Sequence, residues 1–400
     1  MDRGGAFMKL ADYSEIINRC SQCSFCQEYC PSFKAERTEN FLAKHRMNMI
    51  REVLLDKTAP DSARFREIID KCLLCGNCTR NCFSLVPIDE IVISARSELI
   101  KNEKGFGAMK RGFMSKVLKE KGFRSMAGIA GGIAGKLGIG KNMPQISAKP
   151  FDSIYKGTVK AEGEQRGRVV YFAGCGSNFL FPDVGASVVK VLAVNGIETV
   201  VPETLSCCGL PLISEGDIDG AAEMMRQNIE ILSAIDAEAV IMDCTSCRMM
   251  FIKKAPKLFD KEDPIQEKIK TVIARLREPS SYLLEKGIIA PAKDSSRTFT
   301  MHVPCHSDRS SEKNLVEMLQ KSSAKYISME NPESCCGAGG TFYMDNEEMS
   351  EKLRKTKIDD ITSTGADIIV TECPMCRFYI QQGLPGKKVM HPFEYMAGNL

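Results

Sequence analysis

The apolar positions divide the chain into a helical N-terminal part and a C-terminal part in which short apolar runs alternate with helical patterning. Between residues 34 and 71 the sequence is rich in charge. Ala43, Met47, Ile50 and Leu54 recur there at three-to-four spacing, the signature of a helix with one buried face. Glu90 to Leu99 predicts a further helix. Beyond residue 166 the pattern changes: Arg168 to Ala173 has strand character, Val184 to Val194 is helical, and Glu198 to Val201 is again a strand. A helix near Ala221 to Ala234 and a strand over Ala239 to Met242 follow, and Thr298 to Val303 and Ile368 to Thr371 repeat the strand signal. Strands that alternate with helices predict parallel α/β units. The expected fold is α+β and multidomain, with an all-α domain over residues 1–103, a connecting segment over 104–165, and α/β modules over 166–292 and 293–400.

From Lys104 to Lys141 the connecting segment has nine basic residues and only Glu120 as an acid, and Met126 to Gly140 is apolar and rich in glycine and alanine. The favoured expectation is a flexible connection with a solvated basic helix; docking of an acidic partner or of anionic lipid headgroups is the alternative. No uninterrupted apolar run reaches the roughly 18 residues needed to span a bilayer. Met1 to Leu10 lacks the pattern of a secretion signal. A cytoplasmic location is expected, at most peripheral on the inner face of the cell membrane. With 54 basic against 51 acidic residues, a nucleic-acid partner has little support.

Eighteen cysteines change the picture. In a large chain without a secretion signal they point to metal-bound thiolates rather than disulfides. Cys20, Cys23, Cys26 and Cys30 have the spacing C-x2-C-x2-C-x3-C, and Cys72, Cys75, Cys78 and Cys82 repeat it. A longer repeat follows: Cys175, the pair Cys207 and Cys208, then Cys244 and Cys247; and again Cys305, Cys335 with Cys336, then Cys373 and Cys376. Every cysteine belongs to one repeat or the other, whereas structural thiols scatter singly through cores. The first repeat is the bacterial ferredoxin spacing, in which three close cysteines grip one [4Fe–4S] cluster and the fourth ligates its neighbour. Cys20, Cys23, Cys26 and Cys82 are thus assigned to one cubane cluster and Cys72, Cys75, Cys78 and Cys30 to the other. A pair of zinc sites is the lesser alternative. Pro31 follows Cys30 as the motif predicts, but Phe83 follows Cys82. In the second repeat five thiolates exceed the corners of a cubane: a bridging or opened non-cubane cluster would use all five, a conventional one would leave one spare.

The helical N-terminal part resembles the ferredoxin domain of succinate dehydrogenase and fumarate reductase iron–sulfur subunits. The pattern C-x31-CCG-x34-C-x2-C resembles the cysteine-rich CCG domain family. Two ferredoxin motifs followed by two such modules resemble the iron–sulfur subunits of heterodisulfide reductase, glycolate oxidase and anaerobic glycerol-3-phosphate dehydrogenase. That resemblance implies two further [4Fe–4S] clusters, of non-cubane type in the reductases, held by Cys175, Cys207, Cys208, Cys244 and Cys247 and by Cys305, Cys335, Cys336, Cys373 and Cys376. All ten positions are kept, as in the reductases, while CCGLPLISEGD and the closing HPFEYMAGNL look more like the dehydrogenase subunits.

Gly209, Gly337, Gly339 and Gly340 suit close backbone approach to a cluster, with plain turn chemistry as the alternative. His306, and with less weight His302, flank Cys305 and are candidates to hydrogen-bond a cluster or relay protons; His45 and His391 read as structural or surface residues. No G-x-G-x-x-G opens a helix after a strand, so no flavin or nicotinamide is expected on this chain. The expectation is an electron relay within a hetero-oligomeric complex, from a flavin-containing dehydrogenase acting on a 2-hydroxy acid or glycerol 3-phosphate to a quinone, membrane cytochrome or other acceptor. The alternative is disulfide cleavage at a module cluster, with Cys305, Cys335, Cys336, Cys373, Cys376 and His306 as candidate catalytic residues.

Overall fold

The computed structural model describes residues 9–101, 105–119, 144–287, 297–321 and 324–398. The N-terminal part is helical, built on Pro31–Glu36, Ala43–Ile50, Ala63–Asp70 and Ile88–Ile100. Ala43, Met47 and Ile50 are buried on one face, as their spacing requires. Two arginines hold the helix ends. Arg46, buried, spreads its guanidinium over the carbonyls of Phe41, Ile68 and Lys71. Arg96 takes those of Ile69, Asp70 and Cys72 together with Ser214. The orphan carbonyls at the end of Ala63–Asp70 are satisfied in this way, and the chain is fixed where it enters the second cysteine run.

Two sheets follow. The first contains β1 (Gly157–Val159), β2 (Gly167–Tyr171), β3 (Ile197–Val201), β4 (Ala239–Ile241) and β5 (Leu276–Arg277) in the order β1-β3-β2-β4-β5, with only the β1 edge antiparallel. The second is all parallel: β6 (Thr298–Met301), β7 (Lys325–Tyr326), β8 (Ile368–Val370) and β9 (Lys388–Met390), in the order β7-β6-β8-β9. Removing β1 leaves the same order twice, so the long cysteine repeat is also a repeat of topology.

Side-chain alternation places each sheet between two cores. Val169, Tyr171, Ala239 and Ile241 face a core shared with Phe299, Met301, Ile368 and Val370 of the second sheet. Val170, Phe172, Val240 and Met242 face the opposite way, into a core continuous with Met47, Phe65, Ile91 and Val92 of the N-terminal helices. The three parts therefore share apolar cores.

The segment expected to be a connection contributes to this packing. Helix Phe106–Lys119 rests Met114 and Leu118 on the core, and Lys119 pairs with Glu223. Phe151 is fully buried where a Cβ on Gly185 would collide with it, and β1 extends the first sheet. β1, Gly-Thr-Val, carries a single apolar residue and so lacks the apolar run that marks β4 and β8. Met126 to Gly140 lies outside the described residues. No helix among the described residues is long and apolar enough to cross a membrane.

Candidate iron–sulfur centres

The two short cysteine runs share one backbone device. Gln22 and Ser24 have φ of 57° and 63°, and their equivalents Leu74 and Gly76 have φ of 53° and 70°. Left-handed residues at the same two places curl each run back on itself and turn amide N–H groups inward, the arrangement that receives anions. For Leu74 this costs about 1–2 kcal/mol, and His306 Nε2 holds its carbonyl at 3.2 Å.

Cys30, Cys72, Cys75 and Cys78 line one small void, with Cys30 brought in from the first run as the residue before helix Pro31–Glu36. Burial pushes the Cys75 thiol up to about 12, and Cys72 and Cys30 push the same way. Burial also raises Cys26, followed by Cys30, Cys20 and Cys23. Cys23 is exposed. Phe83, next to Cys82, lies with its ring centroid 4.8 Å from that of Phe25, next to Cys26, which brings the end of the second run beside the first.

The module cysteines lie beyond the carboxyl ends of parallel strands, where open α/β sheets place ligands. Cys175 follows β2, Cys207 and Cys208 follow β3, and Cys244 and Cys247 follow β4. Cys305, Cys335 with Cys336, and Cys373 with Cys376 follow β6, β7 and β8. In the first module Cys175 Sγ and Cys207 Sγ lie 3.3 Å apart, and a Cβ on Gly174 would stand 2.7 Å from Cys247 Sγ. In the second, ligand atoms of His302, Cys336 and Cys376 lie within 4.8 Å of one another. None of the eighteen cysteines is paired in a disulfide. Soft donors gathered in this way fit iron–sulfur clusters.

The glycines after the cysteine pairs answer first to helices. Gly209 and Gly337 have φ of 87° and 88°, with Ala221 and the Ser350 carbonyl where a Cβ would go; beside Gly340, at φ 66°, the space is open. Gly337→Ala is therefore expected to cost about 1–3 kcal/mol and Gly340→Ala about 1 kcal/mol, compared by urea midpoints.

The sets adjoin. Burial raises the Cys305 thiol, and Cys335, Cys75, Cys373 and Cys336 add to the rise; Cys75 acts on Cys335 as well. Arg80 donates to the carbonyls of Cys305 (2.8 Å) and Ser307 (3.4 Å). His306 spends its ring on Leu74 and on Ser246 Oγ, 3.0 Å away, and so links the second run to both modules. It is a joint among the loops, whereas His302 is the histidine that faces module thiols. His391 Nε2 reaches the Asp243 carbonyl at 3.2 Å and ties the modules together, while His45 is half-buried in the N-terminal part.

Sequence reasoning passed over four charged residues. Asp243-Cys-x-x-Cys-Arg248 and Glu372-Cys-x-x-Cys-Arg377 are matching motifs, and that match is the signal that could have found them. Arg248 pairs with Glu278 and Arg377 with Glu394 at 2.8 Å, each after the next strand of its sheet. Arg377 also covers the Phe181 ring of the first module at 4.1 Å. Burial lifts the Asp243 carboxyl to about 6 against hydrogen bonds from Ser177 and Tyr171. Burial likewise lifts Glu372 to about 7, against Arg248 and with Asp243. A carboxyl whose folded pKa is raised keeps a proton that the unfolded chain has lost, so stability falls as pH rises from about 4.3 toward that folded value. Glu372→Gln is expected to stabilise the protein by about 1–2 kcal/mol at pH 8 and by nothing at pH 4, read from urea midpoints at the two pH values.

Known proteins agree with this arrangement. A cysteine-rich domain, CCG, matches residues 169–252 and 299–381, and a 4Fe-4S dicluster domain matches residues 16–86. The chain is 26% identical to one of the subunits of fumarate reductase (CoM/CoB) of Methanothermobacter marburgensis, covering 98% of this chain and 75% of that one. It is 25% identical to one of the subunits of dihydromethanophenazine:CoB–CoM heterodisulfide reductase of Methanosarcina acetivorans, over 92% of this chain and 89% of that one. Identity to the probable glycolate oxidase iron-sulfur subunit of Bacillus subtilis is 24%, over 94% and 91% of the two chains. A more partial relative belongs to the anaerobic glycerol-3-phosphate dehydrogenase of Escherichia coli, 24% identical over 64% of this chain. With paired cysteine-rich CCG domains behind a 4Fe-4S dicluster domain, the chain is similar throughout its length to iron–sulfur subunits of oxidoreductases.

Proposed function

We propose that this chain relays electrons between a flavin-containing dehydrogenase subunit and a quinone or other acceptor, within a hetero-oligomeric complex. Cys20, Cys23, Cys26 and Cys82 hold one [4Fe–4S] cluster and Cys30, Cys72, Cys75 and Cys78 the next. Two further clusters sit in the modules, one on Cys175, Cys207, Cys208, Cys244 and Cys247 and one on Cys305, Cys335, Cys336, Cys373 and Cys376. Bound clusters supply one-electron steps; the protein supplies soft thiolates, exclusion of water and fixed spacing. The observation that carries the reading is the position of Cys75, which shares a void with Cys30, Cys72 and Cys78 and lies within electrostatic reach of Cys305 and Cys335. A relay needs such a junction. Relatives named for glycolate oxidase and glycerol-3-phosphate dehydrogenase support a 2-hydroxy acid or glycerol 3-phosphate as the ultimate donor.

A second reading, disulfide reduction at a module cluster, is favoured by the complete set of ten module cysteines and by the relatives named for heterodisulfide reductase. Anaerobic purification of the native complex separates the two. Under the relay, the organic donor reduces this chain's clusters, as followed by EPR, and disulfides leave them reduced. Reoxidation by a disulfide, abolished by Cys336→Ala, would instead establish the second reading.

A further inference from the structure

The two modules differ at one matched position. Phe172 follows β2, and its amide donates to the Ile241 carbonyl of β4 at 2.9 Å; His302 follows β6, and its amide donates to the Val370 carbonyl of β8 at 3.0 Å. The backbone is the same and the side chains are not. In the first module the Phe172 ring packs edge-on against Phe251, 5.1 Å between centroids, within the apolar core. In the second, the imidazole is only 1% exposed, and neither ring nitrogen makes a well-formed hydrogen bond, although Cys336 and the Pro332 carbonyl lie close enough to act on it.

A buried, unpartnered donor costs about 1–3 kcal/mol, and native structures rarely leave one without a purpose. His302 lies with Cys336 and Cys376 in the group whose ligand atoms are within 4.8 Å of one another. A neutral imidazole has one N–H to give. The acceptors close enough to act on the ring are the Cys336 sulfur and the Pro332 carbonyl.

We infer that His302 donates its N–H to sulfur of the second-module cluster and makes that module the more easily reduced of the two. The inference rests on the cluster reading given above. Reduction adds one electron to the cluster, and no covalent bond forms or breaks. The added negative charge strengthens an N–H···S hydrogen bond, so the donor favours the reduced form and raises the potential. The first module, with Phe172 there, lacks this contribution, and electrons arriving at the modules settle on the second.

The test is a redox titration of anaerobically prepared full-length protein, followed by EPR. The second-module signal is identified as the one lost on Cys336→Ala. His302→Phe copies the first module, and His302→Val removes the donor with a smaller side chain. Each is expected to lower that midpoint by about tenfold in the one-electron equilibrium constant, about 59 mV, and to leave the others unmoved. His302→Gln, which keeps an N–H, is expected to stay within about threefold of wild type. Full iron content with an unmoved midpoint in either donor-free variant overturns this inference alone. Wild-type protein with no signal sensitive to Cys336→Ala overturns the cluster reading beneath it.

Discussion

Cys75→Ala is expected to empty one N-terminal cluster and cut the relay at its junction. Iron should fall from about 16 to about 12 per chain, with the module signals intact. Groups that merely support a bound metal are worth about 10- to 100-fold in affinity or activity, and a ligand at the junction should cost about 100-fold or more in the rate at which the modules are reduced. The reason is position. Cys75 is buried, belongs to the void of Cys30, Cys72 and Cys78, and acts on both Cys305 and Cys335. The neighbouring contacts hold the loops in place: Leu74 to His306, and Arg80 to Cys305. Stopped-flow reduction by a low-potential donor at the N-terminal end checks the result. Reduction of the modules at the wild-type rate, with about 12 irons present, would sink the proposed route.

The largest expected stability effect lies at a buried ion pair between the N-terminal helices and the first module. Lys254, 4% exposed, sits 2.6 Å from Asp89 and 3.4 Å from Glu90, and Thr79 also donates to Asp89 at 2.6 Å. Removing one member of a buried pair leaves uncompensated charge, so Lys254→Ala should cost about 3–5 kcal/mol. Burial alone would raise the Asp89 carboxyl, yet Lys254 and Thr79 hold it below the usual carboxylate range. Burial opposes a charged Lys254, and Asp89 and Glu90 nevertheless raise its pKa. A depressed carboxylate gives stability that is present above about pH 3.9 and is lost as pH falls through the lower folded value. A raised lysine gives stability that is present below about pH 10.4 and is lost as pH rises through the higher folded value. Wild type should therefore keep this contribution across neutral pH. In Lys254→Ala Glu90 keeps Lys257 at 2.6 Å, but the Asp89 carboxyl is stranded and can escape its penalty only by protonation, so the gap to wild type narrows as pH falls toward 5. Urea midpoints at pH 5 and 8 measure it; a gap below about 1 kcal/mol at pH 8 would show that the pair is solvated.

Much of this arrangement was legible in the chain. Ala43, Met47 and Ile50 had a helical period long enough to read, and the parallel strands at β2, β3, β4, β6 and β8 fall within a few residues of their predicted runs. The cysteine runs declared themselves through spacing. Other features were hidden because their cause is tertiary. Nothing local marks Phe151 as core or β1 as part of a sheet, since their partners lie some thirty to forty residues on at Gly185 and β3. His306 drew attention as the neighbour of Cys305, yet its ring is claimed by Leu74 and Ser246, both distant in sequence. His302 carried less weight because its relation to Cys336 depends on how β6 and the loop after β7 meet. Asp243 and Glu372 were visible as matching motifs, but their raised pKa values come from burial between modules.

The central claim is that every cysteine set holds iron and that the sets form one electron path. Anaerobic reconstitution with iron analysis and EPR of the reduced protein addresses it most directly. The account predicts about 16 irons per chain, in four tetranuclear clusters, with signals broadened by spin coupling between the Cys75 cluster and the second module. About eight irons, with spectra indifferent to Cys336→Ala, would contradict it.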